Sequence, residues 1–565
     1  MSDLSRATFF EIISGKTQTV SPDRNPYANT STPVFSSRAI TGLDPFSGTF
    51  DQDALIHLLR RSLFGVRKEH LSFFSGFSLD QALSQLLTPS PLPAPPVNTY
   101  NNASFTDPDV LFGETWVNAP YGAPGSNVNG KRRNSFKQWS AGTLLNQSLS
   151  LSEKMYLFLH NFIATQTSGI GDSRYIYKHH ALLKSYALGN YKSLILAVTT
   201  DPGMLVYLNG NTNSNLAPNE NYGRELQELF TVGRGEDSLY TEDDVIAASR
   251  VLTGWRENPL TITSFFNPNK HDTGPKQFSA FYNNTLISGQ SGANGALETD
   301  QLIDMIFAQQ ETARFLARKL YRFFVYYVID EQVETDIIAP LADIIVQNNY
   351  ELIPALSALL GSEHFFDPLN RGCYIKTPVD HLIGVCRQFN VSFPDASNLD
   401  DQYKGWGTLA SSLSLLTMDI GDPPNVAGWP AYNEDPQFHE LWINSNTLPG
   451  RNQFTDAISS QNGLTMNGVN LKIDFLQFVS QLNDPSDPNL LIAEIAFLLS
   501  PNPIGDSLTT FLKSILLSGQ SSDYYWTNAW LDYVSDPSQV NVQAVESRLR
   551  SMFTFLLDMA EYQLV

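Results

Sequence analysis

Glu220, Arg224 and Glu228 follow one another at i+4 steps within residues 218–231, with Glu225 beside them. On a helix that spacing puts two carboxylates and one guanidinium on one face. Two readings fit. In the first, Arg224 clamps an anionic group and a carboxyl of raised pKa acts as general acid. Paired carboxylates at a suitable separation are also what glycoside hydrolysis requires. In the second, the same residues form a structural Glu–Arg–Glu ladder that fixes the helix in a core. Tyr222, Leu226, Leu229 and Phe230 supply an apolar seam, so either way the polar groups ride on a rigid element.

A second constellation combines imidazoles with carboxylates: His160, His179, His180, His271 and Asp272, with Glu153 on the His160 face. Neutral imidazoles with one or two carboxylates can hold a divalent metal, and His160 and His180 are the candidate ligands. The alternative is a set of satisfied core and loop histidines. His271 and Asp272 sit in a loop flanked by Pro268 and Pro275, and rigidly held loops often carry function. They rank with Glu220 and Glu225 as catalytic candidates. Arg224, Glu228, Trp429 and Trp442 form the candidate binding set. Trp429, Trp442 and Tyr432 could stack on sugar rings, or they anchor a Pro- and Gly-rich loop to helices. No Gly-rich phosphate loop, Gly-x-Ser-x-Gly elbow or His-Glu-x-x-His motif occurs.

The chain must position these groups with a core of its own. Its 565 residues are 42% hydrophobic and 12% aromatic, which excludes wholesale disorder. Acidic residues outnumber basic ones, 57 to 36, for a net charge of −21. Such a chain repels nucleic acid and anionic lipid head groups. The short basic run Lys131-Arg132-Arg133, with Lys137, reads as a solvated loop. Cys373 and Cys386 read as two thiols, and spacing alone does not decide whether they pair. No stretch of eighteen apolar residues occurs, and residues 1–13 lack the apolar core of a secretory signal.

Residues 1–50 read as an extended arm after one short helix. Leu55, Leu58, Leu59 and Leu63 give a helix over 51–64 that carries His57, Arg60 and Arg61. A helix near 79–87 ends in a proline-rich spacer near 88–98, and 98–135 is loop-like. Glu153, Leu157, His160 and Ala164 share one face of a helix from 149 onward. Thr241 and Asp244 form a capping box, and Asn283-Asn284 turns a small hairpin over 277–288. Helices fill 299–362, 372–390, 405–418 and 470–565, with an irregular stretch at 419–451.

Several stretches taken in order carry a resemblance. They include His57-Leu58-Leu59-Arg60-Arg61-Ser62, Glu153-Lys154-Met155, Phe158-Leu159-His160-Asn161-Phe162, and residues 218–231. His271-Asp272-Thr273-Gly274-Pro275-Lys276, Ile375-Lys376-Thr377-Pro378, Pro423-Pro424-Asn425-Val426-Ala427-Gly428-Trp429-Pro430 and Ala560-Glu561-Tyr562-Gln563-Leu564 continue it. From about residue 51 to the end, the chain resembles the bacterial domain of unknown function eighteen hundred, and its Bacteroidota-type members in particular. Phe162 stands where the family pattern has a second His, which weakens a metal site built on a His-x-His pair. The resemblance brings no established activity. It implies a place outside the cytoplasm and an exported sulfatase- or phosphatase-like partner.

The expected fold is mainly α: a large multi-helix core over 51–450 with long loops, at most a small β-hairpin, and a C-terminal helical region, 451–565, packed on it. Two functions compete. One is an envelope-associated or extracellular protein whose acidic and histidine pocket acts on a polysaccharide or other surface polymer. The other is a non-catalytic surface scaffold or assembly protein for an exported partner.

Overall fold

The computed structural model describes residues 42–565, so most of the arm expected over 1–50 lies outside the described residues. The principal helices are α1 (Gln52–Ser62), α2 (Val128–Leu145), α3 (Ser152–Phe162), α4 (Ser173–Ser185), α5 (Asn221–Glu225) and α6 (Glu242–Val251), then α7 (Gln310–Phe324), α8 (Pro378–Gln388), α9 (Leu399–Leu415), α10 (Pro488–Leu499) and α11 (Gln539–Asp558). Among the described residues three two-stranded antiparallel sheets interrupt them: β1 (Trp255–Asn258) with β2 (Thr263–Phe266), β3 (Lys276–Gln277) with β4 (Leu286–Ile287), and β5 (Leu464–Met466) with β6 (Val469–Leu471). The fold is mainly α. The hairpin turned by Asn283-Asn284 is the β3–β4 pair, and both asparagines take left-handed φ. The other two pairs add to the single hairpin read from the sequence.

Local chemistry sets the helix ends. The Asp51 carboxylate accepts the Ala54 N–H at 3.0 Å, which starts α1. Arg60 and Arg61 occupy its last turn, where a cation suits the helix dipole. Thr241 and Asp244 cap α6 reciprocally, with the Thr241 N–H 2.7 Å from Asp244 Oδ2. Every residue of α3 is buried, the polar Ser152, Glu153, Lys154, His160 and Asn161 included. On α7, Ala313, Leu316, Ala317, Leu320 and Phe324 bury one stripe, each larger side chain contributing about 1.5–3 kcal/mol, while Lys319 and Arg322 leave it on another face.

One contiguous apolar cluster runs from Ala54 to Tyr562 and includes residues on both sides of position 450. The chain's last residues pair with the strand-like segment before α8: the Lys376 N–H donates to Gln563 O at 2.7 Å and the Val565 N–H to Tyr374 O at 2.9 Å. A smaller cluster around Trp116, Trp139 and Tyr177 holds the 97–120 loop against α2. Close approach of α2 and α9 depends on Gly142, where a Cβ would lie 2.4 Å from the Trp406 ring.

Here one expectation fails. Lys131-Arg132-Arg133 is not a solvated loop but the start of α2, and Arg132 is fully buried. Its Nε and second amino group bond Asp107 at 2.9 and 3.1 Å, and the third nitrogen donates to Pro120 O at 2.7 Å. A buried bidentate pair pins the preceding loop, whose own composition gives no sign of it. Both cysteines are free thiols.

Candidate functional site

The acidic helix is split in the structure. α5 passes at Leu226 into a π-helical stretch, Leu226–Thr231, in which the Val232 N–H reaches back to Gln227 O at 2.9 Å. Arg224 turns outward and pairs with Glu242 at 2.6 Å and with Glu220 at 3.3 Å. Glu228 pairs with Arg234 at 2.7 Å. Burial and the neighbouring Glu228 push the Glu225 carboxyl up. This is an ion-pair ladder across α5 and α6 on a partly exposed face.

His271 and Asp272 are adjacent in sequence but serve different partners. Asp272 binds Arg250 at 2.7 Å. Burial raises its pKa, but the bonds from Arg250 and the Gly274 N–H outweigh that and hold it below the usual carboxylate range. His271 is buried, with Nδ1 2.9 Å from Thr253 O and Nε2 3.1 Å from Glu298 Oε1. Glu298 also accepts the Lys276 ammonium and the Gln290 N–H, the latter at 2.6 Å. Lys276 and Glu298 are fully buried. Burial alone would raise the Glu298 carboxyl, and the three donors together lower it. The network is closed, and its charges are matched.

His160 and His180 do meet, with ring centroids 4.5 Å apart, and Trp429 packs edge-on to His160 at 5.2 Å. Burial pushes His160 down to about 3 and His180 well below its ordinary value, so both rings are neutral. The Gly421 N–H donates to His160 Nε2 at 2.9 Å, which leaves the ring proton on Nδ1. His180 Nδ1 lies 2.8 Å from the Tyr156 hydroxyl, and His179 Nδ1 is 3.1 Å from Asp201. His160 therefore offers a metal only a protonated nitrogen. Among the described residues, no three His, Cys, Asp or Glu side chains gather as a metal cage requires. Trp429 acts as an anchor: its ring is buried, its backbone N–H donates to Asn161 Oδ1 at 2.8 Å, and Gly428 packs too close to Asn161 for any Cβ.

The structure concentrates unbalanced charge elsewhere. A cleft enclosing about 60 Å³ lies between α1, α3, α7, the start of α8 and the 431–442 segment. Its walls carry Arg60, Arg61, Lys154, Lys319 and Arg322, and among the described residues Asp380 is the only acidic side chain lining it. Lys154 is bonded to Asp380, which Thr377 also holds through a 2.9 Å hydrogen bond. Arg60 and Arg61 spend one amino group each on backbone carbonyls, of Phe497, Ser500 and Asn370. Lys319 donates to Asn433 Oδ1 at 3.0 Å and lies over the Phe162 and Phe315 rings, with no carboxylate bonded to it among the described residues. Arg322 makes no ion pair or hydrogen bond through its guanidinium among the described residues; it lies over the Phe438 ring, 5.1 Å from the centroid. Burial and Arg322 push the Lys319 amine down to about 8. Just behind this wall, in a smaller cavity that shares Arg60 and Asp380, burial and Arg60 push Lys376 down to about 7. Trp442 lines the cleft with Tyr432, their rings 5.6 Å apart and edge to face. Of the aromatic residues singled out in the sequence, Trp442 and Tyr432 are the ones that the cleft takes up.

Such a site defines a class: a mainly helical protein with a cationic, aromatic-walled cleft in an acidic body. The chain belongs to the family described as protein of unknown function (DUF1800), which it matches over residues 57–564. No curated protein and no solved structure matches it. Among the described residues, no helix is long and apolar enough to cross a membrane.

Proposed function

We propose that the chain is an envelope-associated or extracellular protein that binds a surface polymer through an anionic group held in the cleft. The observation carrying this is the charge imbalance: five cations around one small cavity, with Asp380 as the only acidic side chain lining it among the described residues, in a chain of net charge −21. Like charges kept together without counterions cost stability, and a bound anion removes that cost. The negative field of the whole molecule adds a restriction. It repels dense polyanions at long range, so the reading favours a polymer bearing sparse anionic groups. The aromatic wall of Tyr327, Tyr432, Phe438 and Trp442 suits the apolar faces of sugar rings.

Calorimetric titration with a lightly sulfated dextran against unmodified dextran tests the binding. Heat only from the charged polymer, lost in Arg322→Ala, supports the reading; equal responses to both polymers reject it. Fractionation of the producing cells tests location, and intact chain confined to the cytoplasm would count against the envelope. A second reading, a scaffold for an exported partner, draws on the sealed Glu298–Lys276–His271 network, which fixes structure and offers no opening to a substrate.

A further inference from the structure

We infer that the group held in the cleft is a tetrahedral oxyanion, a sulfate or phosphate monoester carried on a sugar ring. The inference rests on the anion-binding reading above and narrows it. Cations reach the cavity from three helices, Arg61 on α1, Lys154 on α3, and Lys319 with Arg322 on α7. A carboxylate offers two oxygens in one plane, which a single guanidinium fork satisfies. Donors converging from three helices suit an anion whose terminal oxygens point in three directions.

Capacity at the cavity agrees with this. Arg322 has a full set of guanidinium donors to give, and its Nε is buried without a partner. Lys319 has used one donor of three, and that on a neutral amide. A space of about 60 Å³ takes a group the size of a few waters, since a water needs about 10–15 Å³ on that measure. An esterified oxyanion fits inside, and its sugar must remain in the wider mouth. Tyr327, Tyr432 and His439 keep partial exposure there, beside the exposed stretch 434–437. Tyr432 stacks on Phe323 at 5.5 Å and meets Trp442 edge-on, so the wall is already held by its own packing.

The experiment uses the full chain in a buffer free of oxyanions, at constant ionic strength. Calorimetry is run with inorganic phosphate, inorganic sulfate, acetate, glucose 6-phosphate, glucose 6-sulfate, glucuronate and glucose. Phosphate and sulfate are expected to bind at least about ten-fold more tightly than acetate, the worth of one charge-assisted hydrogen bond. The two sugar esters are expected to exceed the inorganic ions, with that excess lost in Tyr327→Ala. Arg322→Ala should weaken every oxyanion about ten-fold or more, and Arg322→Lys, which keeps charge without the fork, should recover only part. Arg224→Ala should change nothing.

Acetate and glucuronate binding as tightly as the phosphate and sulfate probes overturns this inference and leaves the anion site standing. Inorganic ions that match or exceed their sugar esters overturn the ester. Silence from every anion with the folded wild type rejects the anion site itself.

Discussion

Two clusters of charge lie inside this molecule, and they are built on opposite principles. Around Glu298 the donors Lys276, His271 and the Gln290 N–H converge on one carboxylate, and the side chains are fully enclosed. Around Arg322 and Lys319 the cations face a cavity, and the Arg322 guanidinium makes no hydrogen bond among the described residues. Matched charge that excludes solvent specifies a fold; unmatched charge beside a space marks a place where something arrives. Burial alone does not separate the two, because both sit in the same apolar body.

Breaking the closed cluster should have the largest effect. Glu298→Ala leaves the Lys276 ammonium buried without its carboxylate, and urea denaturation should show a loss of about 3–5 kcal/mol. A loss under about 1 kcal/mol would place the two clusters in the same class.

Next comes pH. The Lys376 amine is pushed down to about 7 by burial and Arg60, and Lys319 to about 8. In the unfolded chain an amine titrates near 10.4. Between these values the unfolded chain holds more protons, so both lysines make stability rise with pH from about 7 to about 10. Unfolding measured across pH 7–9 should climb more steeply in wild type than in Lys376→Met. At the acid end the sign is the same, because burial pushes His70 and His160 down to about 3 and the unfolded chain again holds more protons than the folded one. Above about 6.5 their stabilising contribution is complete, and it is lost as pH falls toward 3.

A smaller effect sharpens the contrast. Arg322→Met keeps the apolar stem over Phe438 and removes an unmatched cation. Its unfolding free energy without added anion should be unchanged or raised by about 1 kcal/mol, opposite in sign to Glu298→Ala. The smallest change belongs to the helix where the sequence concentrates its acids. Arg224→Ala breaks partly exposed pairs with Glu242 and Glu220 and should cost about 0–1 kcal/mol in the same assay.

The fold was legible because helices announce themselves locally. Leu55, Leu58, Leu59 and Leu63 mark α1, and Thr241 with Asp244 marks the start of α6. One hairpin escaped despite a strong signal: Asn467-Gly468 turns β5 into β6, both residues at positive φ. The cleft was hidden for a different reason. Its cations come from positions 60–61, 154 and 319–322, and each alone resembles an ordinary helix-surface residue. A clue did exist. Lys154 is followed by the mostly apolar run Met155–Leu159 in a helix with no solvent-facing side, so its ammonium needed a partner inside the body. The acids of 218–231 misled in the converse way, since dense charge in sequence is most often charge that water already satisfies.

Arg60 has one more consequence, in the order of events during synthesis. Its guanidinium donates to Phe497 O and Ser500 O at the end of α10, the first of them 437 residues further along the chain. At about 5–20 residues per second, a ribosome delivers that partner roughly 20–90 s after Arg60 emerges. Throughout that interval the last turn of α1 lacks these two acceptors, although other partners of the helix, Phe365 and Asn370 among them, emerge earlier. Shortening the chain before residue 500 should leave the last turn of α1 open to proteolysis even if the central helices have already packed.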